Sequence, residues 1–175
     1  MADGSQPAFR LVQPPALAAL LFTFGLGATL ISPPAPILLW NASPSSPIGL
    51  YLISPGSSPG LGETAIAWPP PAARRLAAVR SYLPADVLLV KLVLAGSGSL
   101  ICAKHRAIFV DGKLAAFRRA RDGSSRPMPW WSGCQQLGTG DLFLLSAGDN
   151  SFDGRYFGVT RSGEVIGRAR LLWGR

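Results

Sequence analysis

The stretch Val87-Leu88-Leu89-Val90-Lys91-Leu92-Val93-Leu94 decides the fold class. It is an apolar run rich in branched residues, and it reads as a buried β-strand. Its only charge is Lys91. Removing an ammonium from water disfavours its charged form, so the pKa of a buried lysine falls. A lysine amine that is neutral at working pH is a competent general base. The plain alternative is a lysine on an edge strand, its stem lying on apolar surface and its head reaching water.

Working outward, the remainder reads as β-rich. Ile108–Val110 runs into Asp111-Gly112, a hairpin turn signal. Leu142–Leu145, Arg155–Thr160 and Val165–Leu172 are further strand candidates. Upstream, Ser54–Gly62 is rich in Pro, Gly and Ser and reads as a surface loop. Pro69-Pro70-Pro71 leads into Ala72–Ser81, a short helix candidate that stops before Pro84. No internal repeat is present. The predicted fold class is mostly β with a short helix.

No charged residue occurs from Leu11 to Gly62. Within that stretch Ala16–Ile31 is dominated by Ala, Leu, Phe and Gly, bounded by Pro14-Pro15 and by Ser32-Pro33-Pro34. Apolar residues continue through Ile37-Leu38-Leu39-Trp40, and Trp40 suits a membrane interface. These features divide the chain into a tail over 1–15, one N-terminal transmembrane helix over 16–39, and a globular domain over 40–175. A cleaved signal peptide is the competing reading. Against it, only Arg10 and the terminal amine are positive ahead of the apolar segment, and a small-x-small cleavage site is poorly presented among the prolines. The same two charges favour an N-terminus on the inner side.

The chain has 175 residues, 48% of them hydrophobic and only 15% charged, and its mean hydropathy is +0.27. The formal charge of +8 is unevenly placed. Residues 1–73 hold one basic and two acidic residues, whereas 74–175 hold sixteen basic and seven acidic ones. The basic residues are scattered singly or in pairs such as Arg74-Arg75 and Arg118-Arg119. With no RNA-binding or helix-turn-helix pattern among them, this argues against nucleic acid. Attraction to anionic lipid headgroups is the simpler account. Cys102 and Cys134 lack metal-site spacing, and the single His105 cannot complete a four-ligand set, so no metal or other cofactor is expected. The two cysteines either form a disulfide in an oxidising compartment or remain free and partly buried.

Directly after the anchor comes Asn41-Ala42-Ser43-Pro44-Ser45-Ser46-Pro47-Ile48-Gly49-Leu50-Tyr51. Taken alone, its serines belong to an ordinary Ser/Pro loop. The segment resembles the nucleophile motif N-x-(S/T)-x-S-x-P-x-G-L-Y of the conjugative-transfer signal peptidases, the TraF-type branch of the signal peptidase I family of Ser/Lys proteases. Gly148-Asp149-Asn150-Ser151-Phe152-Asp153-Gly154-Arg155-Tyr156-Phe157-Gly158 resembles the last conserved box of that family. Between them, Gly62-Glu63 with Trp68-Pro69-Pro70-Pro71, Ser81-Tyr82-Leu83-Pro84, and Arg126–Trp130 with Ser132-Gly133-Cys134 are weaker matches. Leu88-Leu89-Val90-Lys91 falls where the family has its base-bearing strand. Where the family follows that lysine with "PGD", this chain has Ala95-Gly96-Ser97-Gly98: the glycines keep the turn and the aspartate is absent.

The resemblance implies a signal-peptidase-like β domain and a set of roles. Ser45 would be the nucleophile and Lys91 its general base; Ser43 would supply a hydroxyl to the oxyanion hole. Ser151 would orient the lysine, and Asp153 with Arg155 would form a structural ion pair beside the site. The apolar flanks Leu89, Val90, Leu92 and Val93 would keep the lysine's pKa low. No histidine is needed in such a dyad. The implied partners are a precursor protein with a leader peptide, such as a pilin-type subunit of a conjugation system, and membrane lipid. The implied location is the bacterial inner membrane, with the catalytic domain on the periplasmic side. A general leader peptidase, and a catalytically silent domain of an envelope assembly, are the alternatives.

Overall fold

The computed structural model describes residues 14–31 and 35–174. Most of the expected tail over 1–15, Arg10 included, and the Ser32-Pro33-Pro34 boundary lie outside the described residues. The chain divides into two units, 1–35 and 36–175.

In the first unit a helix, α1, spans Pro14–Ile31. Prolines at its start leave no useful N–H unmet, and exposed Leu20, Leu21, Phe22 and Phe24 make it apolar on its surface. Among the described residues no helix is long and apolar enough to cross a membrane. The anchor expected over 16–39 is not one continuous helix, because Leu38 and Leu39 belong to a strand of the second unit.

That unit contains β1 (Leu38–Asn41), β2 (Gly49–Pro55), β3 (Thr64–Ala67), α2 (Pro71–Val79), β4 (Leu89–Ala95) and β5 (Leu100–Lys104). It continues with β6 (Ala107–Val110), β7 (Lys113–Phe117), β8 (Gly133–Gln136), β9 (Phe143–Leu145), the short helix α3 (Gly154–Phe157), a 3-10 turn over Ser162–Glu164, and β10 (Val165–Gly174). Two antiparallel sheets result, a six-stranded one in the order β1-β2-β10-β3-β4-β9 and a four-stranded one in the order β7-β6-β5-β8. The architecture is mostly β.

The strand read from Val87–Leu94 is β4, an interior strand between β3 and β9. This rules out the edge position that would let its lysine reach water. Side chains alternate across a strand, and Val90 packs with Tyr51, Ile53 and Ile66 on one side while Val93 packs with Ala65, Ala67 and Leu144 on the other. Lys91 shares the Val93 parity and pairs across the ladder with Ala65. Leu92, expected to help bury the lysine, is 44% exposed and does not.

Helix α2 matches the candidate at 72–81 but ends two residues earlier, with Ser81 turning into the left-handed region at φ 57°. Ala73 and Ala77, one turn apart, form its buried side. Asp111-Gly112 makes the β6–β7 hairpin turn, both residues at positive φ as a tight hairpin requires. Gly49 is needed for another reason: a Cβ there would stand 2.1 Å from the carbonyl oxygen of Trp173, so β2 and β10 approach closely only because this position is bare.

Arg155–Thr160, expected as a strand, is instead α3 followed by a turn. Asp153 caps the helix by accepting from the Arg155 N–H at 3.1 Å, and a capping aspartate favours helix over strand locally. Only Thr160 forms a β-bridge, with Leu142.

The cysteine alternatives resolve as a disulfide. Cys102 of β5 and Cys134 of β8 face each other and are bonded, with Cα atoms 4.0 Å apart. Ile101, Ala103, Ile108, Leu137, Phe143 and Val159 pack beneath in a core reaching from the four-stranded sheet to β9 and the α3 turn.

Candidate active site

Three pieces of chain meet at Lys91. The first is the β1–β2 connection that carries Ser45. Asn41 organises it: its Nδ2 donates to the carbonyls of Ser43, Ser46 and Pro47 at 3.0–3.1 Å, and its Oδ1 accepts from the Ser43 N–H. Tyr51 adds a hydroxyl donated to Pro47 O at 2.8 Å. Ser46 ties the loop to the lysine's strand through a 2.7 Å hydrogen bond to the carbonyl of Val90. A Ser/Pro loop that is unremarkable in sequence is thereby held against the residue before Lys91.

The second piece is β4 itself, which sets Lys91 3% exposed among three hydroxyls. Nζ donates to Ser45 Oγ at 2.8 Å, to Ser146 Oγ at 2.8 Å and to Ser151 Oγ at 2.7 Å. Burial pulls the lysine down to about 8; Asp153 opposes that shift and Arg155 adds to it.

The third piece runs from the end of β9 through α3. Asp153, fully buried, accepts from the Ser146 N–H at 3.0 Å and faces Arg155 Nε at 3.7 Å. Arg155 donates to the carbonyls of Gly148 and Ser146, while its Nε has no hydrogen-bond partner. Burial raises the Asp153 carboxyl, against the pull of Arg155 and Lys91. Gly154 allows this segment to lie flat on β9, since a Cβ there would meet the Leu144 carbonyl at 2.8 Å.

The six residues expected at the site therefore stand together. Ser45 and Lys91, forty-six positions apart, are within proton-transfer reach, and Ser151 holds the amine from the other side. Ser43 lies beside Ser45, its hydroxyl donating to Ser45 Oγ at 3.0 Å while its Oγ accepts the Ser45 N–H at 3.3 Å. Asp153 and Arg155 form the buried pair behind the lysine. Ser146 was not foreseen. The one available signal was a hydroxyl closing the apolar run Leu142–Leu145, five residues before Ser151. Asn41 and Ser46 lay inside the recognised motif without a role.

The weaker motif boxes have structural work. Tyr82 donates its hydroxyl to Asp122, which also pairs with Arg126 at 2.7 Å, so the segment after α2 is locked to the long β7–β8 connection. Gly98 makes the β4–β5 turn at φ 86° where the aspartate of "PGD" is missing. Among the described residues no group of three or more His, Cys, Asp or Glu side chains is placed to hold a metal ion.

A buried lysine amine hydrogen-bonded to serine hydroxyls from separate segments, within a two-sheet domain, is consistent with a Ser/Lys dyad. The chain belongs to the signal peptidase family, peptidase S26, whose family model matches residues 10–173. It is similar to the plasmid transfer protein TraF of Escherichia coli, 36% identical over 100 residues, which is 53% of this chain and 56% of that protein. The match thus spans little more than half of the relative's length. A crystal structure of a signal peptidase I from Enterococcus faecalis V583 is 15% identical, covering 63% of this chain and 95% of that one with a TM-score of 0.35.

Proposed function

We propose that this protein is a serine endopeptidase that removes leader peptides from exported precursors, with Ser45 as nucleophile and Lys91 as general base. The observation that carries this reading is the 2.8 Å contact between Ser45 Oγ and a buried Lys91 amine. Neutral Lys91 takes the Ser45 hydroxyl proton as Oγ attacks the carbonyl carbon of the scissile bond. The resulting tetrahedral intermediate collapses as the leaving amine takes that proton, and the leader stays esterified to Ser45. Water, deprotonated by the same lysine, then releases it.

The developing oxyanion is held by the Ser45 N–H and the Ser43 hydroxyl. In the unliganded geometry these two bond to each other, so Ser43 turns about χ1 when a carbonyl oxygen arrives. Ser151 orients the amine, and Asp153 with Arg155 fixes the segment that carries it. The family relation to a plasmid transfer protein favours a precursor of a conjugation apparatus, such as a pilin-type subunit, over secreted proteins at large. The charge-free, apolar N-terminal sequence from Leu11 onward holds the protein at the inner membrane. Exposed Trp40, packed at a tilt against Trp173 with ring centroids 5.8 Å apart, with Leu38 and Leu172 nearby on the same strands, suits contact with lipid.

The test is the pH dependence of precursor cleavage. Protonated lysine is no base, so kcat/KM rises with pH and levels off above a midpoint near 8. A profile flat from pH 6 to 10 would contradict a lysine base. Rates on a pilin-type against an ordinary secretory precursor separate the conjugative from the general peptidase, and no cleavage of either would favour the silent assembly domain.

A further inference from the structure

Ser146 lies outside both specific motif boxes, yet it is the hub of the buried polar cluster. Its Oγ accepts from Lys91 Nζ at 2.8 Å and from Ser151 Oγ at 2.9 Å. Its N–H donates to Asp153 Oδ2 at 3.0 Å, and its carbonyl accepts from Arg155 Nη2 at 2.5 Å. One 6%-exposed residue thus joins the lysine, the assisting serine and the ion pair. We propose that Ser146 is a positioning residue for Lys91: together with Ser151 it takes the two hydrogens of the neutral amine and leaves the lone pair facing Ser45. The proposal rests on the reading of Ser45 and Lys91 as the dyad.

A neutral amine has two hydrogens and one lone pair, and Nζ has three hydroxyl neighbours. If Ser146 and Ser151 accept the two hydrogens, the remaining direction points at Ser45 Oγ, as proton abstraction requires. With Ser151 alone, the amine can rotate about its Cε–Nζ bond and present an N–H to Oγ, an orientation that cannot take a proton. The backbone of Ser146 is pinned at both ends by Asp153 and Arg155, so its hydroxyl is held in place rather than mobile. These two are also the charged groups that bear on Lys91, the carboxylate favouring its ammonium and the guanidinium disfavouring it. A hydroxyl acceptor favours the ammonium as well, so its removal shifts the lysine's titration to lower pH.

The test uses the full chain and three variants: Ser146→Ala, Ser146→Cys, which keeps the volume with a poor acceptor, and Ser146→Thr, which keeps the hydroxyl. Titration of the Lys91 ε-methylene is followed by NMR, and kcat/KM against pH is measured on a synthetic peptide carrying an A-x-A-type leader cleavage site. Expected for Ser146→Ala and Ser146→Cys are a titration midpoint below that of the wild type and a plateau up to about tenfold lower, the size of one neutral hydrogen bond. Ser146→Thr restores both. A wild-type midpoint in Ser146→Ala and Ser146→Cys overturns the proposal, and so does an equal loss in all three with no shift in midpoint, which marks a structural role only. Ser45→Ala run in parallel separates the two claims. If it is inactive while the Ser146 variants behave as wild type, only the positioning role falls; if it cleaves normally, the dyad itself falls.

Discussion

The two sheets treat their lysines in opposite ways. The six-stranded sheet turns Lys91 inward from its interior strand β4 and backs it with Asp153 and Arg155, all three buried. The four-stranded sheet keeps Lys104, Arg106 and Lys113 exposed at its strands and turns, and holds β5 to β8 with a disulfide. Buried charge is costly and repays its cost poorly in stability, whereas a cross-link stabilises and performs no chemistry. The difference points to the first sheet as the place where stability is given up for reactivity, and to the second as support.

Lys91→Met sharpens that contrast most. Cleavage falls by about 10³-fold or more with loss of the general base. Stability responds in the other sense. Because the folded-state pKa lies near 8, below the ordinary 10.5, the unfolded chain binds more protons between those values, and the ammonium opposes folding most fully below about pH 8. Wild-type stability therefore climbs relative to Lys91→Met as pH rises from 8 to 10.5, by about 3 kcal/mol, measurable by urea unfolding at the two ends. A parallel pH course for the two proteins would show that the lysine is not buried as charge.

Asp153→Asn comes next. It leaves Arg155 and Lys91 without their shared carboxylate, and a loss of about 3–5 kcal/mol is expected, together with a cleavage midpoint moved to lower pH. The smallest effect on cleavage is on the other sheet. Replacing both Cys102 and Cys134 by Ser opens a link of 32 residues and lowers stability by about 3–4 kcal/mol, with kcat retained, since none of the lysine's hydrogen-bond partners lies on that sheet. A large fall in kcat in the folded variant would break the division of labour between the sheets.

Much of this was legible in the sequence because it is local. An apolar run with one charge announces a buried strand with a perturbed lysine, Asp-Gly announces a tight hairpin, and Pro71 announces the start of α2. Family motifs then joined Ser45 to Ser151 across distances that no periodicity reaches. What stayed hidden depends on pairing. Strands β3, β5 and β8 are four or five residues long and are fixed by their neighbours in the ladder more than by pattern. Arg155–Thr160 has the composition of a strand, but the Asp153 cap and the bare Gly154 turn it into a helix. Ser146 carries no local mark at all; it gains its place because β9 ends beside β4, which only the folded sheet reveals.

The rate of precursor cleavage by Ser45→Ala tests the role of Ser45 most directly. With Oγ gone, Lys91 keeps Ser146 and Ser151 and the fold is undisturbed, so cleavage is expected to fall by about 10³-fold or more in a protein of unchanged melting temperature. Cleavage at the wild-type rate would contradict the claim that Ser45 is the nucleophile.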